Sequence, residues 1–239
     1  MKYAIVHYNT PELTTCLCAN INKFDDNASI VIFENSNKHK YDTELFDNVE
    51  VIDNSANRLV NFDDLIVESK KHLSPRALAA HNASGNHFGS LRHAASVQWL
   101  LDNLNTDFVL LDSDVLLTKS PLHLFNNANA IVCDFLMINN YVCRVLPFMC
   151  FMKHDIITQY NLKFFDVNRF DASQLHTDTG GTFCYDILTQ NIPYKRFNIS
   201  EYIVHFGNGS WRTSAKANLP NTEPGNYATF LTKYRGLWQ

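Results

Sequence analysis

Four consecutive apolar residues at positions 108–111 lead directly into an acidic tripeptide, Asp112-Ser113-Asp114. A short run that is apolar at every position suits a strand that is buried on both faces, as the central strands of parallel sheets are. Such a strand needs neighbouring strands and a layer of helices on each side. The run therefore predicts a layered α/β domain with the tripeptide at the end of a central strand.

The first half of the chain carries further strand and helix patterns in alternation. Residues 3–8, 29–33 and 49–52 are short apolar segments that end in polar clusters, as strands do. Thr10 can cap the N-terminus of a helix that has Pro11 at its first position, and apolar residues then recur at every fourth position. This pattern predicts a helix. This alternation predicts an α/β fold with a mixed, mostly parallel sheet that is flanked by helices.

The rest of the chain is less regular. Residues 81–89 are poor in apolar groups and predict a loop, with Ser90 capping the helix that follows. Ser120-Pro121 repeats the cap-and-proline signal. The remaining expected elements are strands at 131–133, 145–152 and 202–206 and a helix at 182–189. No segment has the composition of a linker, so we predict a single domain over residues 1–239.

Charge and composition exclude several classes of protein. Lys and Arg total 20 against 24 for Asp and Glu, a net charge of −4, which disfavours nucleic acid as a partner. The chain opens with a strand-like segment too short for a secretion signal, and no segment approaches the length of a transmembrane span. The six cysteines lack paired zinc spacing and are expected to be reduced, buried thiols. We therefore expect a cytoplasmic protein.

The acidic tripeptide is the sharpest chemical signal. In an extended chain, Asp112 and Asp114 would point to the same side with their backbones roughly 6–7 Å apart. Two carboxylates at that separation repel by roughly 2–3 kcal/mol at an effective dielectric of about 20, and a divalent cation removes this repulsion. An Asp-x-Asp sequence is also an ordinary turn after a strand. The buried strand before it favours a metal site, because ligands bind at the carboxyl ends of strands in open α/β sheets.

Other segments occur in a matching order along the chain. They are Ile5-Val6-His7-Tyr8-Asn9, Ile30-Val31-Ile32-Phe33-Glu34-Asn35-Ser36, Phe88-Gly89-Ser90-Leu91-Arg92-His93-Ala94 and Ile203-Val204-His205. Together with Leu110-Leu111-Asp112-Ser113-Asp114-Val115, this order resembles the glycosyltransferase A fold, and in particular the family 2 glycosyltransferases. The resemblance covers roughly residues 3–210, and it is the fixed order of weak motifs that makes it specific.

The resemblance implies a division of the chain and a set of site residues. It implies a nucleotide-binding half at about 1–117, an acceptor-binding half at about 118–210 and a C-terminal helical tail at 211–239. It also implies a Mn²⁺ or Mg²⁺ ion held by Asp112, Asp114 and His205. The imidazole of His205 is expected to be neutral enough at pH 7 to act as a ligand or to form a hydrogen bond with a phosphate. The implied nucleotide-sugar contacts are Tyr8, Glu34, Arg92, Asp112 and Ser113. The implied partners are a nucleotide-diphosphate sugar donor and a glycan or lipid-linked acceptor with a free hydroxyl.

The acceptor hydroxyl must lose a proton to a carboxylate during transfer. Asp178, before Gly180-Gly181, lies where the resembling family carries its acidic base, which implies a single displacement with inversion. Asp178 would also serve as the N-cap of the next helix. Asp166 and Asp171 are the competing candidates for the base.

Two other functions fit parts of the same pattern. The segment 110–115 also matches the strand and Asp-x-Asp motif of haloacid-dehalogenase-type phosphatases, with Asp112 as nucleophile, but that motif usually lies near the N-terminus. A non-catalytic nucleotide-sugar-binding protein is the other alternative.

The aromatic tail indicates a helix packed on the domain or on a second subunit, or an interfacial helix at the inner face of a membrane. A homo-oligomer and a peripheral membrane contact therefore stay open.

Overall fold

The structure is a computed structural model that describes residues 1–72, 88–138, 141–167, 179–206 and 227–239. The described strands are β1 (Lys2–His7), β2 (Ser29–Glu34), β3 (Val49–Asp53), β4 (Phe108–Asp112), β5 (Val115–Leu117), β6 (Ile131–Cys133), β7 (Phe135–Ile138), β8 (Tyr141–Val145), β9 (Met149–Met152), β10 (Tyr194–Arg196) and β11 (Ile203–His205). The described α-helices are α1 (Pro11–Phe24), α2 (Phe62–His72), α3 (Phe88–Asn103), α4 (Leu122–Phe125), α5 (His154–Tyr160), α6 (Gly181–Thr189) and α7 (Tyr227–Lys233).

Seven strands form one sheet in the order β10-β6-β9-β4-β1-β2-β3. All neighbours in it are parallel except β9, which runs antiparallel to both β4 and β6. The strand that precedes the acidic tripeptide, β4, occupies the middle of this order. The predicted α/β fold with a mostly parallel sheet and a central acidic strand is confirmed. Two small antiparallel pairs, β5–β11 and β7–β8, lie outside the main sheet.

The sheet has a hydrophobic core on each face, and this explains why β1 and β4 are apolar at nearly every position. In β1, Tyr3 and Ile5 belong to one core, whereas Ala4 and Val6 belong to the other. The first core is filled by α1, α7 and the β5–β11 pair. The second is filled by α3, α5 and α6. Helices on both faces are the expected partners of parallel strands, whose side chains alternate between the faces.

Several boundaries differ from the sequence-based expectations. Helix α3 begins at Phe88, so Gly89 and Ser90 lie inside the helix and not in the predicted loop and cap. Residues 81–87 of that loop lie outside the described residues. Pro121 takes the N-cap position of a four-residue helix, α4. The expected strand at 145–152 is two strands, β8 and β9, separated by a turn.

The C-terminal helix packs on the domain. Phe230 of α7 is buried in the first core, and its ring lies 5.3 Å from that of Phe206. A 3-10 turn, Arg235–Leu237, follows α7, and Leu237 packs against the same core. This agrees with the packed-helix interpretation of the tail for residues 227–239, while residues 211–226 lie outside the described ones. Within the described ranges, no helix is both long and apolar enough to span a membrane.

Candidate metal centre

Three side chains converge beyond the end of β4. Asp112, Asp114 and His205 each place one ligand atom so that these atoms all lie within 4.8 Å of one another. Asp114 and His205 are 6% and 3% exposed, and the Asp112 side chain keeps 24% of its surface. The structure thus brings together the three residues that the sequence predicted as metal ligands.

A strand-turn-strand unit positions these groups. Asp112 is the last residue of β4, Ser113 and Asp114 form the turn, and β5 follows at once. His205 comes beside them because β11 pairs antiparallel with β5, which places it opposite Val115. The Phe206 N–H also donates to the Asp114 carbonyl at 2.9 Å. The two carboxylates therefore meet through a turn and not through the extended geometry that the sequence analysis assumed.

The His205 ring is held on two sides. Its Nε2 lies at hydrogen-bond distance, 3.0 Å, from Oδ1 of Asp114. The Phe148 ring covers it, with the ring centroids 4.0 Å apart. The backbone carbonyl of Phe148 also accepts a hydrogen bond from the Asp112 N–H at 3.3 Å. Phe148, a residue with no chemical signal in the sequence, thus fixes both the histidine and the end of β4.

Burial and neighbouring charges shift the pKa values of two groups in the metal-free centre. Burial opposes protonation of His205, but the neighbouring Asp114 and Asp112 carboxylates outweigh it and raise the pKa of the imidazole above its ordinary value. Burial and the charge of Asp114 raise the pKa of Asp112 as well. In the metal-free protein the His205 imidazole therefore keeps its proton to a higher pH than an ordinary histidine does. A cation would take the place of these protons.

The geometry of the three groups fits a divalent ion. Two neighbouring ligands of an octahedral ion with bonds of about 2.1 Å lie about 3.0 Å apart. Oδ1 of Asp114 and Nε2 of His205 are 3.0 Å apart. Carboxylate oxygens suit Mg²⁺ and Mn²⁺, and an imidazole nitrogen is an ordinary ligand of transition ions. The donor set therefore accommodates either of the two predicted ions.

A buried hydrogen-bond chain links the acidic turn to β1 and β2. The Thr10 hydroxyl donates to Oγ of Ser113 at 3.3 Å, and the Thr10 N–H donates to Nε2 of His7 at 3.1 Å. Because Nε2 of His7 accepts, the proton of the neutral ring is on Nδ1, which donates to Oε2 of Glu34 at 2.7 Å. Ser113 is 4% exposed, so its side chain anchors the turn through these buried hydrogen bonds.

Glu34 has an internal role that the sequence analysis did not expect. Its carboxylate accepts from His7, from the Ser36 N–H at 2.6 Å and from the Tyr41 N–H at 2.8 Å. The residue is 1% exposed. Burial works against its charge, but His7 and the two N–H groups outweigh it and lower the pKa of Glu34. A nucleobase contact through this carboxylate, as expected from the sequence, conflicts with this arrangement.

Two other residues that the resemblance implied as contacts of the nucleotide-sugar lie around the same edge of the sheet. Tyr8 follows β1 directly and keeps 37% of its surface exposed. Arg92 lies near the start of α3 with its guanidinium carbon 5.6 Å from the centre of the Phe62 ring. Its Nε is buried and has no hydrogen-bond partner among the described residues. Arg92 is thus a half-buried cation and not a fully solvated one.

The structure adds one polar residue that sequence reasoning missed. His93 follows Arg92 on α3, and its Nε2 lies 3.8 Å from Oδ1 of Asp112. It lies within the segment 88–94 that carries the family resemblance, but the resemblance implied no role for it. Only the packing of α3 against the end of β4 reveals its position.

Two of the three candidates for the catalytic base lie outside the described residues. Asp178 and its competitor Asp171 both fall outside them, whereas Asp166 is described and half-buried. The described chain resumes just before Gly180, the N-cap of α6. The Val145 N–H donates to the Gly180 carbonyl at 3.3 Å, which ties the start of α6 to the end of β8.

No protein-family model and no curated protein sequence matches this chain. Solved structures similar to it include mouse xyloside xylosyltransferase 1 in its apo form, at 9% identity and a TM-score of 0.47, with 84% of this chain and 86% of the other covered. Galactosyltransferase LgtC with donor and acceptor sugar analogues is similar at 11% identity and a TM-score of 0.49, with 94% and 84% covered. The bifunctional glycosyltransferase WbbM is similar at 12% identity and a TM-score of 0.47, with 99% and 44% covered.

All three proteins are glycosyltransferases, the class that the motif order resembles. The sheet order, with antiparallel β9 beside β4, agrees with the glycosyltransferase A fold expected from the sequence. At this level of identity and superposition, the likeness assigns no role to any residue of this chain.

Proposed function

We propose that this protein transfers a sugar from a nucleotide-diphosphate donor to a hydroxyl group of a glycan or lipid-linked acceptor, with the help of Mn²⁺ or Mg²⁺. One observation carries the proposal: Asp112, Asp114 and His205 converge at the carboxyl end of the central strand. This edge is where open α/β sheets bind nucleotides and their phosphates. The diphosphate of the donor needs positive charge at this edge. Asp112, Asp114 and His205 are suited to hold a metal ion that would supply this charge.

The ion, when bound, supplies a Lewis acid to the diphosphate as this group leaves the sugar. Asp112 and Asp114 hold it from the acidic turn, and His205 holds it from β11. Arg92 offers a second, fixed positive charge to the phosphates from α3. Tyr8 has an exposed ring at the end of β1 on which a nucleobase can stack. Glu34 and Ser113 act indirectly, because their side chains are engaged in the buried chain through His7 and Thr10.

The acceptor hydroxyl needs a base on the other side of the sugar, and we assign this role to Asp178. It stands directly before the segment that begins α6, which the Gly180–Val145 backbone contact ties to β8. A carboxylate that takes the proton while the hydroxyl attacks gives a single displacement, and hence inversion at the anomeric carbon. Asp166 and Asp171 are the alternatives to be compared with it.

A thermal-shift screen of nucleoside diphosphates and nucleotide-sugars, with and without Mn²⁺, tests the function most directly. We expect a Mn²⁺-dependent rise in Tm for one nucleotide class and none for the Asp114→Ala variant, because a ligand that binds only the folded state stabilises it. Asp26→Ala is the matched control, since Asp26 is exposed and lies before β2, at the opposite edge of the sheet. Unchanged binding in Asp114→Ala would remove the metal assignment.

A turnover assay completes the test. With the donor identified, Asp178→Asn should bind it normally and lose transfer, whereas Asp166→Asn and Asp171→Asn should retain transfer. The anomeric configuration of the product, measured by NMR, decides between inversion and retention. A stable phosphoryl group on Asp112 would instead support the phosphatase function, and donor binding without turnover would support the non-catalytic one.

A further inference from the structure

His93 is a half-buried side chain on α3 whose two ring nitrogens have no hydrogen-bond partner among the described residues. Both ring nitrogens are shielded from solvent, and within the described ranges neither makes a hydrogen bond. Buried polar groups are nearly always paired, because an unpaired one costs free energy. The ring of His93 therefore has unused hydrogen-bonding capacity with respect to the described part of the chain.

The carboxylate of Asp112 lies close enough to His93 to use this capacity. Nε2 of His93 lies 3.8 Å from Oδ1 of Asp112, which is just beyond hydrogen-bond distance. Oδ1 already accepts one hydrogen bond, from the Ser113 N–H at 3.0 Å. A carboxylate oxygen has room for a second donor. The His93 Nε2–H is placed to be that donor after a shift of less than about 1 Å.

The helix that carries His93 is fixed, so the shift would involve side chains and not the backbone. Ala94 and Val97 anchor α3 in the second core. The Ser96 hydroxyl donates to the Arg92 carbonyl at 2.8 Å and accepts from Nδ2 of Asn35 at 3.0 Å. These contacts tie the turns on either side of His93 to the end of β2. His93 therefore approaches Asp112 from a rigid support.

We propose that His93 is a positioning residue of the metal centre, whose Nε2–H donates to Oδ1 of Asp112 when the ion binds. With Ser113 and His93 both on Oδ1, the Asp112 carboxylate would be held in one orientation for the ion. The inference rests on the proposed function, because it takes Asp112 as a metal ligand. Donors that orient a ligating side chain from outside typically change metal affinity 10- to 100-fold.

The test is a Mn²⁺ titration followed by the EPR signal of the free ion, for the full chain and three variants. His93→Phe keeps a ring of similar size and removes the donor. His93→Gln places an amide N–H near the position of Nε2, whereas His93→Asn places it near that of Nδ1. We expect the Mn²⁺ Kd to rise at least about 10-fold in the Phe and Asn variants and to stay within about 3-fold of wild type in Gln.

Rescue by Gln but not by Asn is a result that a merely structural role would not give. Far-ultraviolet circular dichroism confirms folding, and if the Phe variant does not fold, the Gln–Asn pair decides alone. Wild-type affinity in all three variants, or equal loss in Gln and Asn, would overturn the assignment to His93 while Asp114→Ala still abolished Mn²⁺ binding. Absence of Mn²⁺ binding by the wild-type chain would overturn this inference together with the proposed function.

Discussion

The side-chain amide of Asn20 forms two hydrogen bonds with the backbone of Leu117. Its Nδ2 donates to the Leu117 carbonyl at 3.0 Å, and its Oδ1 accepts from the Leu117 N–H at 2.7 Å. Nδ2 also donates to the Leu237 carbonyl at 2.8 Å. Asn20 is completely buried in α1. One side chain thus joins β5, which follows the acidic turn, to the last residues of the chain.

Asn20→Ala should destabilise the protein by at least about 2 kcal/mol, because it leaves buried backbone groups of Leu117 and Leu237 without partners. Urea unfolding measures this change directly. Asn103→Ala is the control: Nδ2 of Asn103 donates to the Trp99 carbonyl on an exposed part of α3, and its loss should change stability by no more than about 0.5 kcal/mol. Equal effects of the two substitutions would show that the amide does not hold β5.

Gly180→Ala should destabilise the junction of α6 with β8. Gly180 has a φ of +87°, and an added Cβ would lie 2.3 Å from the Val145 carbonyl oxygen. The left-handed backbone alone costs about 1–3 kcal/mol for a residue with a side chain, and the clash adds to this. The expected result is a lower Tm and lower transferase activity, because Asp178 lies just before this junction.

Gly236→Ala is the matched control for that substitution, since an added Cβ there meets nothing within 4 Å. Its Tm should stay the same or rise slightly, because alanine restricts the unfolded chain. A Gly180→Ala protein as stable as the Gly236→Ala protein would show that the start of α6 tolerates rearrangement.

The sequence predicted the main sheet and the place of β4 in it well, because strong local patterns mark these strands. The apolar run of β4 is buried on both faces, and its acidic end lies at the predicted edge of the sheet. The position of His205 beside Asp114 depends on the pairing of β11 with β5. That pairing brings together residues 91 positions apart. The sequence indicated it only through the order of motifs.

The parts that the sequence did not predict depend on tertiary contacts. The family resemblance implied a nucleotide contact for Glu34, yet three internal donors surround its carboxylate. Phe148 resembles any other core residue, but its ring lies on His205. His93 becomes visible only when α3 is packed beside β4. No local pattern encodes these contacts, because each joins elements that are distant along the chain.

Glu34→Gln should separate an internal role from nucleobase binding. The substitution removes the charge that His7 and two N–H groups stabilise, so we expect a loss of about 2–3 kcal/mol at pH 7. Burial raises the pKa of Glu34, but the donors His7, Tyr41 and Ser36 together lower it in the folded protein. Its stabilisation is therefore present above the pKa of the unfolded chain and is lost as pH falls through the folded pKa. Urea unfolding at pH 7 and at pH 4 should therefore show a smaller difference between variant and wild type in acid.

Glu50→Gln is the control for Glu34→Gln, because Glu50 is an exposed carboxylate on the neighbouring strand β3. It should leave stability nearly unchanged at both pH values. Loss of donor affinity in Glu34→Gln without any loss of stability would instead restore the nucleobase contact that the sequence suggested.

The metal centre should make both stability and metal affinity depend on pH, in opposite directions. The pKa values of His205 and Asp112 are raised in the folded, metal-free protein, so their contribution is full below the unfolded pKa and is lost as pH rises through the folded pKa. For His205 this loss begins above about pH 6.5. Without metal, the Tm contribution of the centre should fall as pH rises above about 6.5.

Mn²⁺ affinity should rise over the same interval, by up to about tenfold per pH unit for each proton displaced, because the ion competes with the proton on His205. Tm measured from pH 6 to 8.5 with EDTA and with Mn²⁺ gives both trends in one experiment. His205→Gln removes the titrating imidazole and should flatten the two profiles. If the Mn²⁺-induced rise in Tm were independent of pH in the wild type, His205 would not be a metal ligand, since a ligand that binds protons in the metal-free state must release them to the solvent.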